Sequence, residues 1–180
     1  MSEEGSAPVL EEVVVPGGIN RCATVVKGGR RFSFSAIVIV GDRRGRVGVG
    51  YGKAREVPMG VEKGTKDARR KLTHVVLDGT TIPHEITGRC GASRVFMKPA
   101  RPGTGIIAGS TVRTVLELAG VRDALTKAYG STNPVNLVKA TFDGLCRLRS
   151  KQQVAELRGV RVGAVAPPPE IPRGPEGEVQ

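Results

Sequence analysis

The stretch INRCATVVKGGRRFSFSAIVIVGDRRGRVGVGYG, residues 19–52, decides the fold of the first half of the chain. Its opening, INRCATVV (19–26), is short and rich in β-branched residues, and it runs into Lys27, Gly28, Gly29, Arg30 and Arg31, as a strand entering a glycine turn does. FSFSAIVIV (32–40) begins with strict alternation. Phe32, Phe34, Ala36, Val38 and Val40 fall on one face, with Ser33 and Ser35 opposite. Ile37 and Ile39 then place apolar groups on the second face too, so the far end of this strand is expected to be covered on both sides. GDRRGR (41–46) reads as a second turn, and VGVGYG (47–52) as a third strand whose glycines leave room for a close neighbour. The expectation is an antiparallel meander of three strands.

Beyond this stretch the period changes. Val57, Val61, Gly64, Ala68, Leu72 and Val75 recur every three or four positions, as on one helical face, opposite Glu62, Lys63, Lys66, Arg69, Arg70 and Lys71. Gly60 and Gly64 each cost roughly 1 kcal/mol relative to alanine, so a helix over 57–75 must lean on the sheet. Residues 12–75 are therefore expected to form a three-stranded antiparallel sheet backed by one helix.

A second module is expected over 76–150. Strand-like segments at 82–87 and 93–98 flank the turn-rich Gly88, Arg89, Cys90 and Gly91, and a loop over 99–109 precedes a helix at 110–118 that Gly120 stops. Residues 124–129 read as a further strand. Asn133 and Pro134 look like an N-cap with proline in the first turn, opening a helix to about Arg147 with Leu137, Val138, Phe142 and Leu145 turned inward. Strand and helix alternate here, which makes the second domain a small two-layer α/β unit and the whole chain α+β. The acidic residues 1–11 and the Pro/Gly-rich residues 151–180 are expected to be flexible tails.

Charge narrows the function. The chain has 28 Lys and Arg against 17 Asp and Glu, a formal net charge of +11. Residues 20–75 alone hold 14 bases and 4 acids, so nearly the whole excess lies in one block. A polyanionic partner follows from that balance. Lys27, Arg30 and Arg31 stand at one turn beside Gly28 and Gly29, which let the tip approach a sugar-phosphate backbone; Arg43, Arg44 and Arg46 stand at the next. Lys53 and Arg55 follow the third strand, Arg21 precedes the first turn, and Lys63 and Arg70 lie on the outer helical face. These residues are the candidate RNA-binding set. Aromatics are only 3% with no Trp, and Phe32 and Phe34 are expected to face inward, so folded RNA read by shape and phosphate fits better than stacked single strands.

Other chemistries lack their parts. The run 48–53 has the wrong glycine spacing for a phosphate loop, and Ala54 stands where Ser or Thr would bind magnesium. The run 103–109 sits between a strand and a helix, but its third glycine is one residue late for a dinucleotide fingerprint and no acid ends a strand about 20 positions on. Its glycines then serve tight turns and close backbone contact. His74 and His84 have no partner at ligand spacing, so neither a metal nor a nucleophilic triad is expected. Glu117 and Asp123 are expected to be solvated or paired with a base such as Arg122. Cys22, Cys90 and Cys146 read as reduced thiols acting as small buried hydrophobes. No apolar run approaches the roughly 20 residues of a bilayer span, and the acidic start is unlike a targeting leader, so a cytoplasmic location without a membrane is expected.

The segments INRCATVVKGGRRFSFSAIVIVGD, GRVGVGYGKAREVP, ASRVFMKPA, GTGIIAG, VLELAGVRDALTKAYGSTNP and KATFDGL together resemble the bacterial-type small-subunit ribosomal protein family numbered five, over about residues 19–148. The resemblance implies an N-terminal domain similar to double-stranded-RNA-binding domains and a C-terminal α/β domain. It also implies a non-catalytic, cofactor-free role: binding small-subunit ribosomal RNA where head meets body, touching the neighbouring proteins numbered four and eight, and influencing decoding accuracy. By position, the hairpin at 27–31 would reach RNA of the neck, and Gly103, Thr104, Gly105 and Arg113 would lie near the protein-four contact. Two other readings stay open from the residues: an enzyme using the 103–109 loop as a nucleotide site, and a free regulatory protein that binds duplex RNA.

Overall fold

The computed structural model describes residues 10–159. The meander is present, built from β2 (Asn20–Val26), β3 (Gly29–Gly41) and β4 (Arg46–Ala54). A strand that the sequence pattern does not predict, β1 (Glu11–Val14), pairs with residues 38–41 of β3 on the edge that β2 leaves free. The break between β1 and β2 has a local cause: Val15 donates the last ladder bond to Ile37 O at 3.1 Å, Pro16 has no N–H to give, and Gly18 turns back onto Val15 O at 2.8 Å. On the other side of the sheet β5 (Thr73–His74) pairs with Arg46 and Val47.

Helix α1 (Val57–Arg70) lies on this sheet through glycine. A Cβ on Gly50 would sit 1.9 Å from Gly64 O, and one on Gly52 would sit 1.9 Å from Gly60 O. Backbone meets backbone there, so the close neighbour expected of β4 is the helix itself, and the glycines that weaken α1 in isolation let it dock. The helix ends five residues earlier than its apolar period suggests. Leu72 and Val75 keep the spacing, but the chain has already turned back into β5, and Val75 donates to Gly45 O at 2.6 Å and is buried.

The second sheet has the order β6-β7-β9-β8, from β6 (Ile86–Cys90), β7 (Ser93–Pro99), β8 (Ile106–Ile107) and β9 (Ala124–Gly130). Helices α2 (Ser110–Ala119) and α3 (Pro134–Cys146) complete it, and Asn133 caps α3 by accepting from Val135 N at 3.1 Å. The predicted strand at 82–87 is shifted: Gly88, Arg89 and Cys90 are in β6 and the turn falls at Gly91 and Ala92. Gly88 is needed inside the strand because α3 crosses it, and a Cβ there would meet Ala140 O at 1.9 Å.

The two faces of β3 are buried in different cores. Val38 and Val40 join Ala68 of α1, while Ile37 and Ile39 join Val112, Leu116 and Leu118 of α2 in a cluster that runs on to Val95, Met97 and Leu145. Each such buried aliphatic contributes about 1.5–3 kcal/mol. Residues up to Ser150 form one compact unit, and a second unit begins at Lys151. The stretch expected to be an irregular tail from residue 151 starts with a helix, α4 (Lys151–Arg158), and the proline-rich 166–180 and the acidic 1–9 lie outside the described residues. Two further expectations are corrected. Phe32 is 44% exposed rather than inward, because β3 runs past the end of its cover, and Cys146 is exposed rather than buried.

Candidate nucleic-acid interface

The alternation that builds β2 and β3 continues past the body, so residues 21–32 form a two-stranded arm in which almost every position is exposed. Val26 pairs with Gly29 and leaves Lys27 and Gly28 as a two-residue loop. Among the described residues, nothing beyond the flanking ones lies within 4 Å of a Cβ built at Gly28 or Gly29, so the tip is uncovered there. Arg21 stacks its guanidinium over the Phe32 ring at 4.7 Å. That contact holds the fork flat and leaves its edge N–H groups for another acceptor.

Among the described residues, Lys27, Arg30 and Arg31 have no carboxylate within ion-pair distance, and neither have Lys53 and Arg55 at the base of the arm or Lys63 and Arg70 on α1. Three of the block's four acids are used elsewhere. Asp42 pairs with Arg46 at 2.8 Å, Glu62 with Lys66 at 2.6 Å and Asp67 with Lys71 at 2.6 Å. Hydrogen bonds from Lys66 and Lys71 hold the Glu62 and Asp67 carboxyls below their ordinary values. Positive charge is thus left unneutralised on the arm.

The second basic turn is built differently. Arg43 adopts a left-handed backbone at φ 55°, donates its N–H to Leu118 O at 3.0 Å, and Gly45 donates to Ala119 O at 2.9 Å. These carbonyls belong to the last turn of α2, where no intrahelical donor remains, so the β3–β4 turn caps that helix. Asp42 accepts from Arg44 N at 2.8 Å, Arg46 N at 3.0 Å and Arg46 Nε at 2.8 Å. Burial alone would raise its pKa, but these bonds outweigh it and hold the carboxyl below its ordinary value. Arg43 itself pairs with Glu11 at 2.7 Å. The structure therefore separates the candidate residues: Arg21, Lys27, Arg30 and Arg31 share the arm, while Arg43, Arg44 and Arg46 lie at the opposite end of β3, roughly 30 Å or more from the 27–31 tip at roughly 3.3 Å per residue.

Gly103 and Thr104 are exposed, Gly105 half-buried, and Gly103 and Gly105 both have positive φ, 89° and 74°. Arg113, inside α2, reaches back to Ile106 O at 3.1 Å, which ties its side chain to the segment that follows Gly103, Thr104 and Gly105. Sequence reasoning misses the group that holds this loop. Asp123, expected to be solvated, is only 5% exposed and accepts from Gly105 N at 2.9 Å; that amide bond, helped by Thr80, keeps its carboxyl below the ordinary value. The glycines of 48–52 face α1 and are closed to any phosphate. No group of three or more metal-ligating side chains exists among the described residues, and no helix among them is long and apolar enough to cross a membrane.

Residues 10–76 match the family model described as ribosomal protein S5, N-terminal domain, and residues 88–158 match ribosomal protein S5, C-terminal domain. The chain is 55% identical over 159 residues to the small ribosomal subunit protein uS5 of Rubrobacter xylanophilus, covering 88% of this chain and 78% of the relative. It is 55% identical over 159 residues to that of Rhodopirellula baltica, with 88% of each covered. Against that of Idiomarina loihiensis it is 50% identical over 163 residues, covering 91% of this chain and 96% of the relative. With both halves matched in order and identity this high across most of its length, the chain belongs to the ribosomal protein S5 family of the small ribosomal subunit.

Proposed function

We propose that this chain is a non-catalytic, cofactor-free constituent of the small ribosomal subunit in the cytoplasm, and that it grips ribosomal RNA at the junction of head and body with the β2–β3 arm. The observation that carries this is the exposed tip at 27–31, whose Lys27, Arg30 and Arg31 have no ion-pair partner among the described residues, in a chain of this family. Lys53, Arg55 and Arg21 extend the same positive track toward the body. Gly103, Thr104, Gly105 and Arg113 form the surface offered to the neighbouring protein numbered four; protein eight and an effect on decoding accuracy belong to the same reading, which the family resemblance supports. Residues 12–75 and 76–150 serve as its two domains, a division that the family-model limits at 76 and 88 favour.

Titration of ribosomal RNA fragments against salt tests the grip. With about six phosphates neutralised, the slope of log affinity on log salt is around −4 to −5. A flat response removes the clamp. Calorimetry with dinucleotides and nucleoside triphosphates separates this from an enzyme using the 103–109 loop: no heat is expected, and saturable heat would favour catalysis. Sedimentation of extract separates it from a free duplex-RNA regulator, since the chain is expected with the small subunit.

A further inference from the structure

The loop that precedes α2 holds its shape without packing. Gly103 and Gly105 have positive φ, and among the described residues nothing beyond the flanking ones lies within 4 Å of a Cβ built at either. Glycine loses more freedom on folding than any other residue, so two of them within three positions leave a loop that polar contacts must fix. Thr104 folds back on Arg101 O, with its amide at 3.1 Å and its hydroxyl at 2.7 Å, but that turn lies inside the loop. The tie to the body runs through Asp123. Gly105 donates to its Oδ1 at 2.9 Å, and Ala124 N donates to Gly105 O at 3.2 Å. The Thr80 hydroxyl and the amides of Gly103 and Thr104 also face the carboxylate.

The acceptor is itself fixed from behind. Asp123 N and Arg122 N both donate to Thr80 O, at 3.1 and 2.8 Å. Thr81 Oγ1 donates to Asp123 O at 2.6 Å and accepts from Ala100 N at 3.2 Å. Three segments therefore meet at one side chain: the turn at 78–81 between the two sheets, the residues that enter β9, and the loop that leaves β7. Asp123 is buried, and bonds from amides to a charged acceptor are stronger than those to a neutral one.

We propose that Asp123 is the positioning residue of the surface formed by Gly103, Thr104, Gly105 and Arg113: from beneath that surface it sets the loop in the conformation that meets the neighbouring protein. The inference rests on the protein-contact reading above and adds to it the residue that determines how well the contact is made. Without the carboxylate the loop samples other conformations, and the partner must order it on binding, which weakens the contact. Arg113 belongs to the same system, since its guanidinium is held by Ile106 O, one residue after the amide that Asp123 binds.

Two measurements on the full chain test this. Hydrogen exchange reads the loop: Asp123→Ala is expected to speed exchange at the Gly105 amide roughly ten- to a hundredfold. Fluorescence anisotropy reads the contact, as the gain in affinity for small-subunit ribosomal RNA when that RNA is preloaded with the neighbouring protein numbered four. Preloading is expected to tighten binding of the parent about tenfold. Asp123→Ala is expected to lose most of that gain while binding the RNA alone like the parent. Asp123→Asn keeps an acceptor for Gly105 N and is expected to recover the gain. Leu145→Ala, a core truncation on α3, lowers stability away from the loop and is expected to keep it. Parent-like exchange at Gly105 or an undiminished gain in Asp123→Ala overturns the proposal, and so does an equal loss of gain in Leu145→Ala. Absence of any gain in the parent overturns the protein-contact reading itself, which is a distinct outcome.

Discussion

Two turns of nearly the same composition flank β3, and the fold treats them in opposite ways. Lys27–Arg31 and Asp42–Arg46 each combine glycine with three bases, yet the first stands free on an arm and the second is fastened to the end of α2. One residue explains much of the difference. Asp42 supplies an acceptor for two amides and a guanidinium, which folds the second turn over itself and presents its N–H groups to the last carbonyls of a helix. The first turn has no acid, and no carboxylate among the described residues pairs with its cations. Similar charge density thus serves assembly of the protein at one end of a strand and capture of a partner at the other.

The sharpest way to break this contrast is to reverse charge at the free turn. Lys27→Glu, Arg30→Glu and Arg31→Glu together are expected to lower duplex-RNA affinity by a hundredfold or more in low salt, while the urea midpoint reports a stability change within about 0.5 kcal/mol. Equal RNA binding by this variant would erase the distinction. At the fastened turn the readouts exchange places. Asp42→Ala leaves three donors without their buried acceptor and is expected to cost about 2–3 kcal/mol of unfolding free energy, with RNA affinity within about threefold of the parent.

Acid sharpens the same comparison. The folded pKa of Asp42 lies below its ordinary value of 3.8, so its contribution to stability is present above that value and is lost as pH falls through the lower folded one. Asp42→Asn is expected to flatten the acid limb of a pH–stability profile; charge changes at the arm leave it unaltered. A steep limb retained in the asparagine variant would assign the acid sensitivity to Glu62, Asp67 or Asp123 instead. The smallest effect is expected from Gly28→Ala. Its Cβ meets nothing among the described residues, so thermal unfolding should hardly move, whereas RNA affinity should fall a few-fold if the backbone of the partner passes close to the loop.

How much of this was legible in the sequence depends on what kind of fact was sought. Strict alternation in FSFSAIVIV and the added Ile37 and Ile39 correctly announce a strand buried on both faces, because those patterns report side-chain direction. Alternation says nothing about where a cover stops. Phe32 and Phe34 therefore read alike, although only Phe34 lies over the body. The overrun of α1 has a related cause: Leu72 and Val75 keep a helical spacing while serving a return strand. At the interface the bases are visible and their partners are not, since Arg43 with Glu11 and Arg69 with Glu12 join residues far apart in the chain. Asp123 is hidden for the same reason; its amide donor at Gly105 is 18 residues away.

The thirteen-residue span of β3 gives the arm a mechanical character. Its inner half is rooted between two cores and its outer half extends as a cantilever, without a hinge glycine between Gly29 and Gly41. Bending the free end therefore loads the ladder bonds around Val38, so a partner that seizes the tip takes hold of a strand buried on both faces.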